Sequence, residues 1–515
     1  MPAPRSSILT WIAAAPGQAL AAVLLLHTIV WTILPTLLYP NLPLDLIEAL
    51  VYGREWQLGH DKLPPLPWWL VEVVHRLVGR DFAYYLLAQI TVSAALWLVW
   101  LTALPLVGSI GALVAVLIVD GLHYFNYTAV KFNHDVIQLP FWALAGYAFH
   151  RALRVGNLRH WLLLGLATGV SFWAKYFVVV LAAPLALFVV FDREARKTLA
   201  TPGPYLATAV AFIVMAPHIV WLVQNDFLPL AYAENRALPP SGLVDYVWHP
   251  FQFALSQLFV LVPSLVIALP LFYPRWDNGA SAKPSVDDFD MRIVTLLALG
   301  PLVTVLALSA ESGRSTVPMW GYPLWLFLGL WLVLVARRPL ETRRLSLVLI
   351  AWAVVFTGLA LAFFGNYFVL PYYDHRYRAV FFPGRDLGHE ISERYRAATG
   401  KPISYVIGSM WDGGNVAHYS PSQPRVLIDG KPERARWIDL EDLKEKGAVV
   451  VFWPYSDLLT LPAEFKAIAA GAVVQPPIEL HYQRADPRGD PVVRVGWAIL
   501  YPKPPSATGP LRPPP

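Results

Sequence analysis

The chain has 515 residues, 56% of them hydrophobic and only 15% charged, with 21 tryptophans and a mean hydropathy of +0.48. That composition excludes an ordinary water-soluble protein of this length and reads as a polytopic membrane protein. The net charge of +5 does not point to nucleic acid, because many basic residues sit in short connections between apolar runs, where they set topology. The absence of cysteine excludes disulfides, thiolate metal sites and a thiol nucleophile.

Arg5 precedes an apolar stretch that continues to Leu38 without a small-residue cleavage site, so the stretch reads as an uncleaved first span. A helix needs roughly 20 apolar residues to cross a bilayer, and about eleven such runs follow. They lie near 17–39, 83–107, 109–125, 135–150, 160–175, 177–191, 205–223, 251–273, 292–309, 317–336 and 345–370. With a cytoplasmic amino terminus, the cytoplasmic loops collect Arg151, Arg154 and Arg159; Arg193, Arg196 and Lys197; Arg275 and Lys283; and Arg337, Arg338, Arg343 and Arg344. This is the positive-inside pattern. The opposite loops carry mixed charge, and an odd number of spans places the carboxy terminus on their side.

Residues 1–374 therefore read as a transmembrane domain whose first outer loop is 40–82. Residues 375–502 read as a soluble α/β domain, with helices around Arg385–Ala398 and Pro462–Ala470. Its strands are expected near Ile403–Met410, Arg425–Asp429, Ala448–Trp453, Ile478–Gln483 and Val492–Tyr501. The tail 503–515 is proline-rich and reads as disordered. No internal repeat of fixed period is visible.

The densest cluster of ionisable residues in the apolar part is 44–70, LDLIEALVYGREWQLGHDKLPPLPWWL. Asp45 and Glu48 are three residues apart, which on a helix puts both carboxylates on one face; a solvated acidic loop is the plainer alternative. Lys62 begins a Lys-Leu-Pro-Pro-Leu-Pro turn, stiff because proline fixes φ and restricts its predecessor. The acid of Asn133-His134-Asp135 opens an apolar run, where either helix capping or a functional acid explains it. A lone His134 beside it is weak support for a metal. Lys175 is the only Lys, Arg, Asp or Glu between Arg159 and Asp192. It either snorkels to the interface or binds a lipid-linked phosphate. Arg314 repeats the pattern ahead of a PMWGYPLW run, and guanidinium suits phosphate. Glu234 and Arg236, in the loop 225–250, and Tyr52 are candidate acceptor or sugar contacts.

The order D-x-x-E-A, K-L-P-P-L-P-W-W-L, N-H-D before F-W-A-L-A, a glycine-containing helix ending A-K-Y, and a basic residue before P-M-W-G-Y-P-L-W resembles the GT-C membrane glycosyltransferases. The branch it is most similar to is family 39, with the protein O-mannosyltransferases and the lipid A aminoarabinose transferase. The resemblance covers roughly residues 15–340, and implies a mainly α polytopic fold and an inverting transfer of a sugar from a polyprenyl-phosphate donor to a hydroxyl acceptor. It implies Asp45 as general base, with Glu48 at a neighbouring acidic position and Asp135 as the acidic residue opening a later span. Lys175, Arg314 and Lys62 become donor-phosphate ligands, and His134 joins Tyr52, Glu234 and Arg236 as an acceptor or sugar contact. Tyr176 stands where the family has glycine after the lysine, and Asp-Leu-Ile-Glu replaces adjacent Asp-Glu. No cofactor is required; a divalent metal is not indicated. The acceptor is a glycolipid such as lipopolysaccharide, or a protein, and the location a bacterial inner membrane with the site on the periplasmic face. A transporter or lipid flippase is the rival class, expected to place charges near the bilayer midplane and often to show duplicated halves.

Overall fold

The computed structural model describes residues 7–273, 286–373, 378–453, 459–483 and 492–503; Arg275, Lys283 and the tail beyond 503 lie outside them. The chain is mainly helical with one small sheet. Among the described residues six helices are long and apolar enough to cross a membrane: Pro16–Leu38, Asp81–Asp120, Gly203–Gln224, Asp245–Phe272, Asp288–Ser312 and Thr342–Tyr372. A bent pair, Pro318–Trp325 and Leu328–Ala336, makes a seventh if counted as one span.

Several expected runs take a different form. The runs 83–107 and 109–125 fall largely in a single 40-residue helix, interrupted where Gly108 has φ 67°. The run 317–336 is broken: Pro318–Trp325 is a 3-10 segment set at 56° to the helix that follows. Pro318 and Pro323 cannot donate backbone hydrogen bonds there. Gln257 braces the broken segment, its Nε2 donating to the Pro318 carbonyl at 3.0 Å while its Oε1 accepts from Trp325 Nε1 at 3.1 Å. Gly321 is required, since a Cβ would lie 1.9 Å from that Oε1.

The residues cluster into two compact units. The first holds Met1–Thr36, Leu58–Pro67 and Leu77–Phe364; the second holds Leu37–Gln57, Trp68–Arg76 and Gly365–Pro515. In the first, small residues let helices approach closely. Gly165 and Gly169 on Leu158–Ala174 face Gly203–Gln224, where a Cβ on Gly165 would meet the Ala207 carbonyl oxygen at 2.4 Å. This packing fixes the end of the helix that carries Lys175.

The second unit contains a five-stranded sheet of order β2-β1-β3-β5-β4, with β1 Tyr405–Gly408, β2 Arg425–Ile428, β3 Ala448–Phe452, β4 Val473–His481 and β5 Val492–Leu500. β1 pairs parallel with β2 and β3, and β5 pairs antiparallel with β3 and β4. β3 is an unbroken apolar run, AVVVF, buried throughout, as a central strand covered on both faces requires. Helix Gly384–Thr399 matches the expected one. β4 begins earlier than expected, at Val473, and the helix near Pro462 shortens to Ala463–Lys466, with Pro462 just outside it.

The acidic helix of the first loop, Leu44–Gly53, belongs to this second unit. Its Ile47 packs on Gly414, where a Cβ would lie 2.6 Å from Ile47 Cγ2. Asn41 Nδ2 donates to Asn415 Oδ1 at 3.0 Å, and Arg54 Nη1 donates to the carbonyls of Gln423 and Pro424 at 2.8 and 2.9 Å. Glu55 takes a two-pronged contact from Arg425, Nε to Oε1 at 3.1 Å and Nη2 to Oε2 at 2.5 Å.

Candidate active site

In the first unit the charged centre is Asp135 with Lys175. Helix His134–Val155 begins there because Asn133 caps it: Asn133 Oδ1 accepts from the backbone N–H groups of Asp135 and Val136 at 3.0 and 3.1 Å. Asp135 therefore needs no capping role of its own. Its Oδ1 accepts from Lys175 Nζ at 2.6 Å and from Gln138 Nε2 at 3.3 Å. Helix Leu158–Ala174 ends at Lys175, whose backbone turns extended, at φ −164° and ψ 137°. The ammonium also lies 5.6 Å from the Phe177 ring centroid, and that ring stacks on Trp142. A cation in so apolar a wall is costly unless paired or working.

The turn 58–67 is clamped beside this pair. His134 Nε2 donates to the Pro64 carbonyl at 2.9 Å. His218 Nδ1 donates to the Leu58 carbonyl at 2.6 Å, which leaves Nε2 to accept from the Tyr176 hydroxyl at 2.8 Å. Tyr176, the residue that replaces the expected glycine, thus holds the histidine in one tautomer. His60, on the same turn, is 1% exposed; burial first, then the neighbouring imidazoles of His134 and His218, pushes its pKa down to about 3. His134 is buried and serves the turn. Lys62 sits over the Tyr232 ring, 5.3 Å from its centroid. Arg314 Nη1 donates to the Ala237 carbonyl at 2.9 Å, tying down the end of helix Leu228–Arg236. On that helix Glu234 and Arg236 are exposed. Among the described residues no group of three or more His, Asp or Glu side chains is arranged to hold a metal ion.

In the second unit Asp45 and Glu48 occupy successive turns of Leu44–Gly53, on one face as their spacing requires. Asp45 is half-buried in the first turn and Glu48 is 6% exposed. Tyr52 corrects its expectation: it is fully buried, its ring 4.3 Å from Trp68 and 5.9 Å from Trp437, so it packs rather than offering a face to a sugar.

The sequence did not signal the buried His–Asp pairs, of which the most enclosed among the described residues is His27 with Asp120. His27 Nδ1 and Asp120 Oδ1 lie 2.7 Å apart in the first unit with no side-chain exposure, and Trp352 Nε1 donates to Asp120 Oδ2 at 2.7 Å. Its trace in the sequence is an aspartate ending an apolar run, as in Leu-Ile-Val-Asp.

A helical bundle of this kind joined to a small sheet is a GT-C type membrane fold, and the comparisons agree with it. Residues 62–221 match the family described as dolichyl-phosphate-mannose-protein mannosyltransferase. The fold is similar to that of ArnT from Cupriavidus metallidurans bound to undecaprenyl phosphate, with TM-score 0.63 and 14% identity, covering 95% of this chain and 98% of that one. The apo state of ArnT gives TM-score 0.62.

In sequence the chain is similar to three proteins of Rhizobium johnstonii. The lipid A galacturonosyltransferase RgtD is 26% identical over 278 residues, 53% of this chain and 56% of that protein. The lipopolysaccharide core galacturonosyltransferase RgtA is 27% identical over 225 residues, 43% of this chain and 44% of that protein. A second lipopolysaccharide core galacturonosyltransferase, RgtB, is 24% identical over 399 residues, 75% of this chain and 78% of that protein. The chain spans about half the length of the first two. The resemblance to GT-C glycosyltransferases read from the sequence is borne out.

Proposed function

We propose that the chain is a membrane glycosyltransferase that moves a sugar from a polyprenyl-phosphate donor to a hydroxyl of a lipid A or lipopolysaccharide-type glycolipid. The observation that carries this reading is the Lys175–Asp135 pair, a lysine held at 2.6 Å in an apolar wall at the end of a close-packed helix. The likeness to galacturonosyltransferases and to ArnT supports the same chemistry.

In this reading Asp45 removes the proton from the acceptor hydroxyl, and the oxygen attacks the anomeric carbon opposite the phosphate, inverting that centre. The bond from the anomeric carbon to the phosphate oxygen breaks, and the lipid phosphate leaves with the electron pair. Lys175, Arg314 and Lys62 meet its charge, so the chemistry requires no metal in principle. Glu48 supports Asp45, and Asp135 orients Lys175. The transfer residues lie within 1–374 and 375–502 face the periplasm, in an inner-membrane protein with a cytoplasmic amino terminus. Mass spectrometry of envelope glycolipids from cells with and without the gene tests the assignment. The expected result is loss of one sugar from a glycolipid; an unchanged glycolipid set with a sugar missing from a protein instead would replace the acceptor class.

A further inference from the structure

The parallel part of the sheet creates a cavity that the proposed reaction does not use. The chain leaves β1 for β2 on one side and returns across it to β3 on the other, so the crevice beyond the carboxyl ends of β1 and β3 is a topological switch point. Such crevices are where open α/β sheets bind ligands. Here it is a cavity of about 700 Å³, within the ~300–1,000 Å³ of small-ligand sites. Ser409, Trp411 and Asp412 reach it from the end of β1, Asp429 and Lys431 from the end of β2, and Trp453 from the end of β3.

Three features mark it as built rather than left over. Asp412 is 5% exposed; its Oδ2 accepts from Ser409 Oγ at 2.7 Å, while Oδ1 has no hydrogen-bond partner among the described residues. A buried carboxylate oxygen left unpaired costs about 1–3 kcal/mol and calls for an explanation. Asp429 holds the left-handed region at φ 53°, a conformation that costs energy in a non-glycine residue and clusters at functional sites. Trp411 and Trp453 flank Phe382, with ring centroids 5.4 and 5.9 Å from it, and give the cavity an aromatic wall.

The chemistry selects the ligand. The lining carries both signs, Arg378 and Lys431 against Asp412, Asp429 and Glu464, with Asp429 held by Arg434, so the cavity presents no concentrated positive charge to select a phosphate. Hydroxyl donors suit those carboxylates, and the apolar faces of a pyranose suit tryptophan. We infer that this cavity binds a saccharide, a ring of the glycan carried by the acceptor, through Asp412, Lys431 and the Trp411–Trp453 wall. Burial pushes the Asp412 carboxyl up from its ordinary range, with Ser409 opposing and Asp429 adding to the rise; protonated or not, it pairs with a hydroxyl.

The assignment of the saccharide to the acceptor rests on the transferase reading, and binding separates the two. Full-length protein in nanodiscs is titrated calorimetrically, without donor, against a deacylated lipopolysaccharide oligosaccharide. The expected result is saturable binding, weakened about tenfold in Asp412→Ala and Trp453→Ala, the size of one lost buried hydrogen bond or stacking contact, and less in Lys431→Ala. Lys431 is exposed, so that variant keeps the test meaningful should Asp412→Ala not fold. In transfer assays the same variants raise KM for the acceptor and leave kcat near wild type. Equal affinity across folded variants, or absence of oligosaccharide binding alongside intact transfer, overturns the cavity assignment. Binding without any transfer overturns the enzymatic reading and leaves the cavity as a saccharide site.

Discussion

Lys175 Nζ lies 2.6 Å from Asp135 Oδ1 across 40 positions of sequence, with the two side chains 13% and 11% exposed. Removing either partner strands a charge in an apolar wall, so Lys175→Met and Asp135→Asn are each expected to destabilise the protein by about 3–5 kcal/mol. The double variant Lys175→Met/Asp135→Leu removes both charges and is expected to recover most of that stability. Transfer stays lost in the double variant, by roughly 10²–10³, because the phosphate cation is gone. Thermal unfolding and transfer rates, measured on the same preparations, separate the two roles; recovery of activity with stability would make the pair structural only.

Gly414 lies against Ile47, and Gly414→Ala places a methyl where 2.6 Å separates it from Cγ2. Overpacking of this size is expected to cost about 1–3 kcal/mol. Ile47→Ala removes Cγ2, so the two changes together are expected to cost less than the sum of their separate costs, a coupling that a double-mutant cycle on unfolding temperature measures.

Glu55 is 6% exposed at its side chain while Arg425 is 39% exposed, so solvent weakens their two-pronged contact. Glu55→Gln is expected to cost about 1 kcal/mol. Limited proteolysis should then cut the 54–57 connection faster. An unchanged cleavage rate would show that the contacts from Arg54 hold that connection alone.

His60 carries a folded pKa of about 3 against an ordinary 6.5. Between those values the unfolded chain binds a proton that the folded chain does not. Stability from this group is therefore full above about pH 7 and falls as pH drops through 6.5, by up to about 1.4 kcal/mol per pH unit. His60→Phe is expected to flatten the acid limb of the unfolding profile between pH 6.5 and 5; an identical slope in that variant would assign the limb elsewhere.

The helical positions were readable where one residue type was placed against its surroundings. A three-residue spacing put Asp45 and Glu48 on one helical face, and a single lysine in an apolar run marked Lys175. What those residues meet was not readable, because the Lys175–Asp135 contact and the seat of Ile47 on Gly414 arise from packing between distant segments. The break at Pro318–Trp325 was hidden for the same reason: Gln257, 61 residues before Pro318, braces it by bonding the Pro318 carbonyl and the Trp325 indole. The Asp412–Tyr419 helix escaped notice because Gly413 and Gly414 oppose helix by propensity and are used here for close approach.

The most direct measurement is transfer of a radiolabelled sugar from a polyprenyl-phosphate donor to lipid A or a lipopolysaccharide glycolipid, catalysed by purified protein in proteoliposomes. Wild type is expected to label the glycolipid, and Asp45→Asn, folded and inserted, to fall by roughly 10²–10⁴, the contribution of a general base. Wild-type rates in Asp45→Asn, or no labelled product from the wild type with any polyprenyl donor, would contradict the account.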